Sequence, residues 1–101
     1  MHRLTEQAET DLDNIWDFLS VESGSDEIAD RQIEAIANRF YLLARHPYAG
    51  RARDDDLGPG RRTFPVDRYI IVYAVASGDV LILRVAHSSQ DLKVLMSRGE
   101  G

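Results

Sequence analysis

The apolar residues of this chain change their period once, and that change limits the fold it can make. Up to Ala44 they recur every three or four residues; from Arg62 onward they run in extended, β-branched stretches. A period near 3.6 marks helices with one buried face, and β-branched or aromatic runs mark strands. A helical layer followed by strands is the order of an α+β domain.

Leu4 lies in a short extended segment, and Thr5 is placed to cap the helix that follows. Ala8, Leu12, Ile15, Trp16 and Leu19 then share one helical face, opposite Glu9, Asp11, Asp13 and Asp17. Ser23-Gly24-Ser25 stops this helix, and Ser25 caps a second with Asp26 and Glu27 in its first turn. Its stripe is Ala29, Ile33, Ile36, Ala37, Phe40, Leu43 and Ala44, and Pro47 ends it near His46. So short a break makes the two helices an antiparallel hairpin. Residues 47–60 are expected to be a loop, and Thr63-Phe64, Tyr69–Val75 and Val80–Ala86 to be strands, with a turn at Ser77-Gly78-Asp79. Along the last strand Leu81, Leu83, Val85 and His87 are expected to face the helices, leaving Val80, Ile82, Arg84 and Ala86 on the open face. Gln90–Met96 reads as a short terminal helix and residues 97–101 as frayed. The expectation is one domain over residues 1–101: an N-terminal strand, a helical hairpin on one face of a small, mostly antiparallel sheet, in the order β-α-α-β-β-β.

With no cysteine, thiolate chemistry and disulfides are excluded, and the three histidines show no metal-ligand spacing. No metal or cofactor is expected. The longest apolar run, Tyr69–Ala76, is too short to span a membrane, and the N-terminus lacks the pattern of a leader, so the chain reads as cytoplasmic. The net charge of −5 is uneven. Residues 1–44 hold 3 Arg against 10 Asp/Glu, a net of −7; residues 45–69 hold 6 Arg against 4 Asp, a net of +2. A protein that lives by phosphate contacts shows a strong basic surplus. Nucleic acid is therefore not expected as a stand-alone ligand, although the arginines cluster locally.

The strings LARHPYAGRAR (43–53), RRTFPVDRYIIVY (61–73) and VLILRVAH (80–87), followed by Asp91 and preceded by Leu4-Thr5 and the two helices, resemble the ParE/RelE superfamily, in its ParE-like branch. The resemblance covers about residues 3–92 and is most specific from residue 43 to 87. It implies the toxin of a type II toxin–antitoxin pair, in a complex with its antitoxin, that acts by binding DNA gyrase rather than by catalysis. RelE-like members of the same fold instead cut messenger RNA on the ribosome. That chemistry needs cations on the sheet and an acid or base, and here the segment after the last strand, HSSQDLKVLM, has no tyrosine and only Lys93 basic. Gln90 stands where ParE-like sequences commonly carry Arg before the Asp, which leaves open an inactive, antitoxin-binding homologue.

Leu12, Trp16, Leu19 and Phe40 on the hairpin, with Tyr48 beyond it, are the candidate antitoxin contacts; Trp16 reads equally as core. Arg68, Arg84, His87, Gln90 and Asp91 are the candidate target contacts. A ribonuclease would draw instead on His87 for proton transfer and on Arg62, Arg68 and Arg84 for phosphate charge. Those arginines have a plainer reading, as partners of Asp54, Asp55, Asp56, Asp67 or Asp91. Tyr69 and Tyr73 share a face with Ile71 and read as packing residues.

Overall fold

The structure, a computed structural model, describes residues 1–99. Strand β1 (His2–Leu4) leads into helices α1 (Glu6–Ser23) and α2 (Asp26–Arg45). A two-residue strand β2 (Arg51–Ala52) and a single turn α3 (Asp54–Leu57) follow, then β3 (Arg61–Val66), β4 (Tyr69–Ala76), β5 (Asp79–His87) and α4 (Leu92–Gly99). The α+β architecture expected from the sequence is the one observed. The stretch expected as plain loop contributes β2 and α3, and α4 runs past Met96 to Gly99; residues 100–101 of the expected frayed end lie outside the described residues.

Local chemistry sets the helix ends where the sequence places them. The Thr5 hydroxyl accepts from the Ala8 N–H at 3.1 Å and donates to the Leu83 carbonyl at 2.7 Å, so one side chain caps α1 and ties it to β5. Gly24, at φ 70°, ends α1 in the left-handed region, and the Ser25 hydroxyl caps α2. At the β4–β5 turn Ser77 and Gly78 both have positive φ, as a tight two-residue hairpin requires.

The sheet order is β1-β5-β4-β3-β2, with β1 parallel to β5 and every other pair antiparallel. The hairpin covers one face. There Ala8, Ile36, Phe40 and Leu43 pack on Tyr69, Ile71, Tyr73, Val80, Ile82 and Val85. The packing role read for Tyr69 and Tyr73 is the one they have. The reverse face carries a smaller core in which Leu57, Leu92 and Met96 cover Val72 and Ala86.

The alternation expected along β5 fails at one point. Val72 is opposite Arg84 but Tyr73 is opposite Ile82, so Leu83 is an extra residue and β5 bulges there. Before the bulge Val80 and Ile82 face the hairpin and Leu83 the reverse core; after it Val85 faces the hairpin and Ala86 the reverse core. The expectation for Leu81, Leu83, Val80 and Ile82 is thus inverted, while Val85 and Ala86 keep their expected faces. Arg84, expected on the open face, turns toward α1 instead.

Candidate functional site

Asp11, Asn14, Ile15 and Phe18 recur on α1 at spacings of three and four, so they form one face of the helix. Opposite them lie Tyr69 at the start of β4, Arg84, Val85 and His87 at the end of β5, and Gln90 beyond it. The space between is an open groove of about 580 Å³. Phe18 is 61% exposed at its rim, and the Tyr69 ring is buried at 6%.

Most of the polar groups around this groove are already bonded within the chain. Arg84 donates from Nε at 2.8 Å and Nη2 at 2.9 Å to the two carboxylate oxygens of Asp11, and the Val85 N–H donates to the same carboxylate at 2.9 Å. The bond to Asp11 raises the Arg84 pKa above its ordinary value, although partial burial opposes it. The ring of His87 stands edge-on to Tyr69, with centroids 5.6 Å apart. Its Nδ1 accepts from the Ser89 N–H at 3.1 Å, which places the proton of the neutral ring on Nε2. Burial pushes the Tyr69 phenol above its usual pKa, more than the nearby charge of Arg68 lowers it, so the hydroxyl stays protonated at neutral pH. The Gln90 side chain accepts from the His87 N–H at 2.9 Å.

Of the expected target contacts, the fold brings Arg84, His87 and Gln90 together in the groove. Asp91 is next to them but serves α4, its carboxylate accepting from the N–H groups of Lys93 and Val94. Arg68 is exposed at the β3–β4 turn and forms no side-chain ion pair among the described residues. The four residues of the ribonuclease reading are not gathered. His87 is opposite Tyr69 at one end of β4, whereas Arg62 is opposite Tyr73 further along, and Arg84 is committed to Asp11. Pairing was the right plain reading for Arg84, but its partner is Asp11 rather than a loop carboxylate. The loop carboxylates have other roles: Asp56 pairs with Arg53, and Asp54 accepts from the Gly60 N–H.

The expected antitoxin contacts separate. Leu12, Trp16 and Leu19 are half-buried along α1, and the Trp16 Nε1–H donates to Asp30 at 2.8 Å, bridging α1 to α2. Phe40 is a correction. Only 3% of it is exposed, because the side of α2 that carries it lies on the sheet, so no partner reaches it in the folded chain. Tyr48 is 70% exposed at the turn after α2, with the guanidinium of Arg62 5.4 Å above its ring. Asp11 and Phe18 were not expected in a site. Phe18 could have been found as an aromatic interrupting the polar face of α1, whereas the role of Asp11 depends on the bulge in β5.

The fold is thus a small sheet carrying a helical hairpin, with a groove at their junction in which Asp11, Arg84, His87 and Gln90 are bonded within the chain. The chain matches the family described as ParE toxin of type II toxin–antitoxin system, parDE, over residues 3–92. It is 32% identical over 88 residues to Toxin ParE3 of Caulobacter vibrioides, covering 87% of this chain and 86% of that one. It is 31% identical over 94 residues to Toxin ParE1 of the same organism, covering 91% and 93%. A solved structure of a chromosomal ParDE TA system from P. aeruginosa superposes with a TM-score of 0.73 at 26% identity, over 85% of this chain and 92% of that one. The chain belongs to the ParE family of type II toxin–antitoxin toxins.

Proposed function

We propose that this toxin inhibits DNA gyrase by binding it in the cytoplasm, and that a cognate antitoxin neutralises it by laying an amphipathic segment along α1 and into the groove. The supporting observation is the groove itself: an apolar rim and floor from Phe18 and Ile15 on the acidic helix α1 and from Tyr69 on β4, with Arg84 and the His87 Nδ1 already bonded. Such a surface offers shape and apolar area to a partner. The acidic face of α1 favours a segment bearing Lys or Arg, which speeds encounter more than it adds affinity. Leu12, Trp16 and Leu19 continue the apolar surface along α1.

Two assays on the purified chain test the action. Inhibited supercoiling with trapped cleavage complexes is the expected outcome. Cleavage of ribosome-bound message by this chain, lost in His87→Ala, would replace docking with ribonuclease chemistry. Absence of any growth defect when the chain is expressed alone would mark it as an inactive, antitoxin-binding homologue.

A further inference from the structure

Strand β1 stops short of the end of its neighbour. Its last residue, Leu4, lies opposite Ile82, while β5 runs on to His87, so residues 83–87 of β5 form an open edge of the sheet. The groove runs along this edge, with Val85 and His87 on one side and Asn14, Ile15 and Phe18 of α1 on the other. An open edge presents backbone N–H and C=O groups to any strand that reaches it. Here side chains occupy most of them. The Thr5 hydroxyl donates to the Leu83 carbonyl at 2.7 Å, the Asp11 carboxylate accepts from the Val85 N–H at 2.9 Å, and the Gln90 amide oxygen accepts from the His87 N–H at 2.9 Å. The Gln90 N–H donates in turn to the His87 carbonyl at 3.0 Å.

The two N–H caps differ in how firmly they hold. The Asp11 side chain is 12% exposed and is bonded twice more to Arg84. Gln90 is exposed and neutral, so water or a partner competes with it easily. The N–H and C=O of one strand residue point to the same side, so the Val85 carbonyl looks out beside the N–H that Asp11 holds. With the Gln90 side chain swung aside, the edge offers that carbonyl and the His87 N–H. A parallel strand uses such a pair: one of its residues, alongside Ala86, donates to the first and accepts from the second. An antiparallel strand needs both groups of Val85 or both of His87, and Asp11 and the Gln90 N–H already hold one of each. A helix uses its backbone groups internally and offers neither.

We infer that the antitoxin enters the groove as an extended segment, parallel to β5 and in line with β1, whose backbone displaces the Gln90 side chain from the His87 N–H. The inference rests on the groove being the seat of the antitoxin. It also specifies the segment. The residue beside Ala86 points with it to the reverse face, so its two neighbours point to the hairpin face, toward Ile15, Phe18 and Tyr69. Apolar residues belong at those two positions. Helix α1 carries six carboxylates and no cation, so Lys or Arg suits the ends of the segment.

Nuclear magnetic resonance of the full chain with its cognate antitoxin, both isotope-labelled, tests this. Binding should slow exchange of the His87 amide proton by at least about tenfold. It should also produce a through-hydrogen-bond coupling from the His87 nitrogen to an antitoxin carbonyl carbon. Gln90→Ala removes the cap, so it should speed that exchange in the free chain and tighten the antitoxin roughly threefold, the effect of one exposed hydrogen bond. A glutamine that only braced the turn or touched the partner would give weaker binding instead. Perturbed Ile15, Phe18 and Tyr69 signals with the His87 N–H still on Gln90, or weaker binding by Gln90→Ala, would overturn the extended segment and leave the groove as the seat. Groove signals unperturbed by the antitoxin would overturn both. Dimers of the chain alone with a protected His87 amide would give the edge to a second copy and overturn the inference.

Discussion

Arg84 and Asp11 lie 73 positions apart in the chain and meet through two hydrogen bonds, their side chains only 17% and 12% exposed. This pair joins α1 to β5 at the floor of the groove. Removing one partner strands the other's charge in a poorly solvated place, which costs more than removing both. Asp11→Leu and Arg84→Met alone should each destabilise the fold by about 3 kcal/mol, and the two together should recover most of that loss. Urea unfolding checks it; a double variant as unstable as the sum of the single changes would show that the two residues are uncoupled.

The turn after α2 depends on Gly50 lacking a side chain. A Cβ there would stand 2.5 Å from the Tyr73 hydroxyl and 2.6 Å from the Thr63 carbonyl, both closer than packed atoms approach. Gly50→Ala should therefore lower stability by about 2 kcal/mol or more, as an overpacked site does. Tyr73→Phe should cost about 1–2 kcal/mol by leaving the Gly50 N–H and the Pro47 carbonyl without their partner. Thermal unfolding of the two variants measures both. A neutral Gly50→Ala would mean that the turn moves away freely.

What the sequence made legible was the chemistry that acts over a few residues. Thr5, Gly24 and Ser25 mark helix ends by their own hydroxyls and backbone freedom, and the structure puts the ends there. What it hid depends on residues distant in the chain. The extra residue Leu83 in β5 has no local signature, and it reverses the faces of Val80 to Leu83 and sends Arg84 to α1. Phe40 and Trp16 both lie on apolar helical stripes, yet the sheet covers one and leaves the other half-exposed, a difference that only the packing angle of the hairpin sets. The groove joins Phe18 to Tyr69, and nothing along the chain links them.

His2 gives the fold a dependence on pH. Its ring lies 4.9 Å from that of Tyr41 and 5.7 Å from that of Phe40, and burial, followed by the charge of the N-terminus, lowers its pKa below 6.5. The fold thus favours the neutral ring, and the unfolded chain binds the proton more readily. The stability His2 contributes is complete above pH 6.5 and declines as the pH falls from there toward the lowered value. Unfolding midpoints taken at about pH 7.5 and pH 5 should differ less in His2→Gln than in the natural chain. An equal difference in the two proteins would remove His2 as the cause.

Phe18 tests the groove as the seat of the antitoxin. It is 61% exposed, so Phe18→Ala should leave the unfolding midpoint nearly unchanged. If its ring is an anchor that a partner buries, the same change should weaken the antitoxin complex by about 2 kcal/mol or more, roughly thirtyfold. Val21 is the control. At 84% exposed it is apolar and on the same helix, but outside the groove, and Val21→Ala should change affinity by less than about twofold. Calorimetry with the cognate antitoxin separates the outcomes. Full affinity in Phe18→Ala together with a loss in Leu12→Ala or Leu19→Ala would move the antitoxin out of the groove and onto the rest of α1. Full affinity in all three would take it off this helix altogether.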